Sequence, residues 1–106
     1  MIPEIDVFEL RKLMENKEDF QLVDVREPYE FEMANLGGDL IPIGSFVERL
    51  EEVHLDKKVI VICRSGVRSA NVVDYLMRVT GKDNFYNLKG GILAWSDHID
   101  QSVPKY

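Results

Sequence analysis

Short apolar runs alternate with stretches of helical spacing along this chain, and the alternation predicts most of its elements. A brief first strand is expected at Pro3–Ile5. Asp6 then reads as a helix N-cap with Glu9 three residues on, opening a helix whose Val7, Leu10, Leu13 and Met14 share a face. Phe20–Val25 is a second strand, and Pro28 suits the first turn of a short helix ending near Met33. Gly37-Gly38 breaks the chain before a short strand at Leu40–Ile41. Ser45-Phe46-Val47-Glu48 fits a capping box that opens a helix carrying Val47, Leu50 and Val53. Lys58–Ile62 is the most apolar run and is predicted to be a central strand. From Ala70 to Thr80 helical periodicity returns, with Ala70, Val73, Leu76 and Met77 expected to face inward and Gly81 as the stop. Phe85–Leu88 is a fifth strand, Lys89-Gly90-Gly91 a loop, and Ile92 to about Ile99 a last helix.

Strands alternating with helices predict an α/β domain with a largely parallel sheet. In such sheets ligands bind beyond the carboxyl ends of the strands. Three stretches fall there: Asp24 to Glu27, Cys63 to Ser69, and Lys89 to Gly91.

Composition narrows the function. At 106 residues the chain is expected to be a single domain over 1–106. No stretch has the length or hydropathy of a membrane span, and the start lacks the basic and apolar regions of a signal peptide. The single cysteine excludes an internal disulfide, a zinc ribbon and a dithiol redox pair, and makes a metal site improbable; no cofactor is implied, and a reducing cytoplasm is the expected compartment. Net charge is −6, and it is unevenly spread: residues 1–56 hold 15 acidic and 5 basic groups, residues 57–106 hold 4 and 8. No basic cluster is interleaved with aromatics, which argues against nucleic acid as a partner.

The chemistry concentrates in Cys63-Arg64-Ser65-Gly66-Val67-Arg68-Ser69. A strand-to-helix loop with a central glycine turns several backbone N–H groups inward, and the helix start adds positive potential. With Arg64 and Arg68 flanking it, and with the loop expected to stay partly solvated, the thiol is predicted to ionise early, in the range of roughly 3.5–7.5. A cation at a helix start is disfavoured, so Arg68 implies an anion nearby. The bland alternative is a small buried cysteine at a strand end. Asp24 and Arg26 read as an ion pair bracing the loop. Lys89 is either a solvated lysine or an anion-steering residue on the rim. Trp95 reads as packing, and neither His54 nor His98 lies near a motif.

Three stretches, LVDVREPYEFE, VIVICRSGVRSANVVDYL and FYNLKGGILAW, resemble the rhodanese (thiosulfate sulfurtransferase) family over nearly the whole chain. The closing Val103-Pro104-Lys105-Tyr106 and Ala34 to Gly38 further resemble the rhodanese domain fused to sulfur-carrier-activating enzymes. Many family members carry a His-Ile…Gly-Ala-like stretch where this chain has Asn35-Leu36-Gly37-Gly38. The resemblance implies a five-stranded parallel sheet of order 1-5-4-2-3 with helices on both faces. It implies that Cys63 takes a sulfane sulfur from thiosulfate or a persulfide donor and passes it to a thiol, cyanide or sulfur-carrier acceptor. Arg64, Ser65, Gly66, Val67, Arg68 and Ser69 would form the anion cradle.

Three rivals share the loop. A cysteine phosphatase needs five residues between cysteine and arginine, whereas four separate Cys63 from Arg68. A sulfur-relay or docking module working beside a protein partner is not separable by sequence. A redox sensor lacks a resolving cysteine.

Overall fold

Side-chain alternation along the central strand decides how the helices attach. In the computed structural model, which describes residues 2–106, strand β4 (Lys58–Ile62) points Val59 and Val61 to one face and Ile60 and Ile62 to the other, all four fully buried. The period of two in a strand, applied to an unbroken apolar run, creates two cores at once. Val59 and Val61 pack with Val23, Phe85, Phe46 and the inner face of helix α3 (Val67–Thr80). Ile60 and Ile62 pack with Leu88, Trp95 and the Val7, Leu10 and Leu13 face of helix α1 (Val7–Glu15). Each of these side chains contributes about 1.5–3 kcal/mol on leaving water.

The other strands are β1 (Glu4–Ile5), β2 (Phe20–Asp24), β3 (Asp39–Leu40) and β5 (Phe85–Leu88), and all pairings are parallel. Their order is β1-β5-β4-β2-β3, as the resemblance implied. Helices α2 (Pro28–Met33) and α4 (Gly91–His98) complete the domain. Register brings Asp24 level with Ile62, and Val61 level with Asn87. The ends of β2, β4 and β5 therefore open onto one rim.

Most expected elements form within a residue or two, and two expectations need correction. Residues 45–53 are not an α-helix. Two single-turn 3₁₀ segments stand instead, Ile43–Ser45 at the entry to this stretch and Leu50–Glu52 within it. Phe46 anchors this stretch in the core while Val47 is exposed, so the apolar residues do not fall on one helical face. The Arg49 side chain bonds Glu52 and the Leu40 carbonyl, tying the segment down without helix ladders. Helix α3 also starts three residues early, at Val67. Its buried face is Ser69, Val72, Val73 and Leu76, while Ala70 and Met77 are only half-buried.

Candidate functional site

Cys63 follows β4 directly, and the loop closes on it from the start of α3. Gly66 caps that helix in the left-handed region, with φ of +100°, which an L side chain rarely adopts. This conformation points the Gly66 N–H at Cys63 Sγ, 3.1 Å away. Ser69, in the first turn of α3, adds its N–H at 3.4 Å and its hydroxyl oxygen at 3.3 Å.

The expected partial solvation of the loop does not hold at the sulfur: Cys63 is 1% exposed and belongs to the core cluster with Val25, Ile41 and Val73. Burial pushes the thiol up, but the Ser69 hydroxyl and N–H and the Gly66 and Ser65 N–H groups outweigh it and hold the thiol below its ordinary value. The direction and the contribution of the inward-facing loop N–H groups match the sequence reading; the Ser69 hydroxyl, which that reading did not single out, is the first of the groups that lower the thiol.

Both arginines face other partners. Arg64 donates through Nε to the Tyr106 backbone oxygen at 2.6 Å and through Nη2 to the same atom, and lies 5.2 Å from the Tyr106 ring centre. Arg68 makes a two-pronged pair with Glu30 of α2, at 2.7 and 2.8 Å. The anion that Arg68 implied is thus supplied by the chain itself. Of the expected cradle, Ser65, Gly66 and Ser69 direct donors at the sulfur, Val67 is exposed, and Arg64 and Arg68 point toward Tyr106 and Glu30.

Asp24 and Arg26 form a fully buried pair at 2.7 Å. Arg26 braces the loop only at one remove: it donates to the Ala34 and Glu30 carbonyls and to the Tyr106 hydroxyl, which in turn donates to Glu30. Lys89 is exposed and lines a depression with Asp6, Phe8, Gly90, Ala94 and His98. Gly91, two residues on, presses directly on the Cys63 loop. A Cβ there would sit 2.5 Å from the Cys63 carbonyl oxygen. The Ile92 and Leu93 N–H groups donate to the Cys63 and Arg64 carbonyls at 3.0 and 3.1 Å, so the start of α4 satisfies the outward-facing oxygens while the N–H groups point in.

Sequence reasoning missed three residues of this site: Glu30, Asn87 and Tyr106. Asn87, 2% exposed on β5, donates through Nδ2 to the Gly66 carbonyl at 3.1 Å and accepts a short hydrogen bond from the Ser69 hydroxyl at Oδ1. A polar residue inside the apolar Phe85–Leu88 strand was the available signal. Glu30 and Tyr106 meet Arg68 and Arg26 across 38 and 80 residues of chain, which no local pattern encodes.

Comparison with known proteins places this arrangement. A sulfurtransferase of Allochromatium vinosum is 37% identical over 99 residues, covering 92% of each chain. The thiosulfate sulfurtransferase GlpE of Vibrio cholerae is 33% identical over 92 residues, 86% of this chain and 85% of that one. A crystal structure of a rhodanese-like domain protein from Staphylococcus aureus superposes with a TM-score of 0.82 at 32% identity, covering 92% of this chain and 95% of the other. The family model described as Rhodanese-like domain matches residues 6–98, and by that match this chain belongs to the rhodanese family.

Proposed function

We propose that the chain is a sulfurtransferase that carries a sulfane sulfur as a persulfide on Cys63. The sulfur comes from thiosulfate or from a protein or low-molecular-weight persulfide, and leaves to a thiol, cyanide or sulfur-carrier acceptor. The observation that supports this most is the convergence of N–H and hydroxyl donors on Sγ of the chain's one cysteine. Such donors stabilise the thiolate needed for attack and then the negative charge of a terminal sulfur. In the loading half-reaction Cys63 thiolate attacks the outer sulfur of thiosulfate. A new S–S bond forms, and the bond to the oxidised sulfur breaks with its electron pair on departing sulfite. An acceptor nucleophile then attacks the outer sulfur and returns Cys63 as thiolate. Ser65, Gly66 and Ser69 supply the donors of the cradle, Val67, Arg68 and Arg64 its outer edge, and Asp24 and Arg26 the bracing through Tyr106 and Glu30. A reducing compartment such as the cytoplasm suits a lone thiol that must stay unoxidised.

Intact-mass measurement tests this. Treatment with thiosulfate or a small persulfide is expected to add one sulfur atom, removable by cyanide and absent in Cys63→Ser. Wild-type protein that gains no sulfur from any such donor overturns the reading.

A further inference from the structure

The charges around the thiol cancel before any substrate arrives. Arg68 is held by both carboxylate oxygens of Glu30. Glu30 is itself fixed: it also accepts the Glu27 N–H at 3.0 Å and the Tyr106 hydroxyl at 2.8 Å, and its side chain is 5% exposed. The Tyr106 hydroxyl accepts from Arg26, and Arg26 pairs with Asp24. Asp24, Arg26, Glu30 and Arg68 thus form a connected set of two anions and two cations. Arg64, the remaining cation of the loop, turns away to the Tyr106 backbone and ring. The hydrogen-bond donors aimed at Sγ are those of Ser65, Gly66 and Ser69, while Arg68 reaches the thiol only through its charge.

Resting on the persulfide reading above, we propose that Glu30 is a specificity-determining residue: by neutralising Arg68 it disfavours dianionic sulfur donors such as thiosulfate and leaves the site suited to the persulfides of small or protein thiols.

The electron balance of the two donors carries the argument. With thiosulfate, the thiolate and a dianion bring three negative charges to the encounter, and two leave on sulfite. With a persulfide R–S–SH, the thiolate attacks the sulfane sulfur and a new S–S bond forms. The donor's S–S bond then breaks with its pair on the R–S leaving group, and the proton stays on the transferred sulfur or passes to that thiolate. This encounter gathers one negative charge at the reacting atoms, or two if the persulfide is ionised. Loop dipoles serve a single charge; a dianion needs a free cation. Arg68 can provide one only by loosening its two-pronged hold on the buried Glu30 carboxylate, which would then keep the Tyr106 hydroxyl and the Glu27 N–H but lose its cation. A discriminating element of this kind acts by being unfavourable to the wrong ligand.

Rates of sulfur gain at Cys63, followed by intact mass with thiosulfate and with glutathione persulfide, test the assignment in wild type and in Glu30→Gln, each donor's rate being divided by its rate with a free small thiol. Wild type is expected to favour the persulfide by about tenfold or more on that scale, and Glu30→Gln to raise the ratio of thiosulfate to persulfide loading by about tenfold, mainly through a lower KM for thiosulfate. Thiosulfate loading equal to or faster than persulfide loading in wild type, or a ratio unchanged or lowered in Glu30→Gln, overturns the role of Glu30 while leaving the sulfurtransferase reading intact. Should Glu30→Gln fail to fold, the wild-type ratio decides alone. A chain that takes sulfur from neither donor overturns the persulfide reading itself, and the Glu30 assignment with it.

Discussion

Ser69 has one hydroxyl proton and two neighbours able to take it, Cys63 Sγ and Asn87 Oδ1. The Asn87 amide nitrogen is committed to the Gly66 carbonyl, so its oxygen must face Ser69. With a neutral thiol, the hydroxyl donates to Asn87 and can accept from S–H; with a thiolate, it must turn to the sulfur. Ser69→Ala removes the donor first among those lowering the thiol. We expect the midpoint of iodoacetamide alkylation against pH to rise. The sign follows from the charge: a group that favours thiolate lowers the midpoint, so its loss raises it. A midpoint unmoved in Ser69→Ala would show that the backbone donors suffice. Lys89→Ala is expected to leave sulfur loading within about twofold of wild type, since its charge is exposed and makes no ion pair among the described residues. A larger loss would place the donor anion where the geometry does not. At this scale Cys63, Gly66 and Ser69 were legible as a cluster in sequence. The direction in which Arg64 and Arg68 point was not, because their partners Tyr106 and Glu30 are distant in the chain.

Among the elements, α4 is tied to the Cys63 loop through Gly91 and the Ile92 and Leu93 N–H groups. The Gly91 φ of +60° is left-handed, and a Cβ there would overlap the Cys63 carbonyl oxygen. Gly91→Ala is expected to cost roughly 1–3 kcal/mol in backbone strain alone, with a further loss as the loop is displaced. Urea unfolding measures the first effect and sulfur loading at matched folded fraction the second; wild-type values for both would contradict the contact. Strand β4 and the two glycines were legible because an apolar run and a Gly-Gly pair each have few alternatives. The 43–53 segment was not. Ser45-Phe46-Val47-Glu48 carries a capping-box pattern, but its one deeply buried side chain, Phe46, fixes the chain by packing, and tertiary contact overrides the local signal.

Across the whole molecule, one polar chain, buried at Asp24, Arg26 and Glu30, joins α2, the end of β2, the start of α3 and residue 106. Arg68 is the main cause that holds the Glu30 carboxyl down at about 2 from its ordinary value of 4.5. A carboxyl lowered by folding contributes stability that is fully present above its unfolded value and disappears as pH falls through the folded one. Urea unfolding between pH 2 and 7 is therefore expected to show stability declining below about pH 4.5. Glu30→Gln should flatten that decline by on the order of 2 kcal/mol, a figure reduced for solvent screening of the partly exposed Arg68. An identical acid limb in the variant would remove Glu30 from this account.

Cys63 is both the proposed nucleophile and a side chain of the core, packed with Val25, Ile41 and Val73. Its reactivity is consequently set by the same packing that holds α3 to the sheet. Trimming Val73 or Leu76 would loosen the helix start that carries Gly66 and Ser69 to the sulfur, detuning the thiol while the domain still folds. A thiol placed out on a mobile rim could be altered without touching stability; here drift in the hydrophobic interior becomes drift in chemistry.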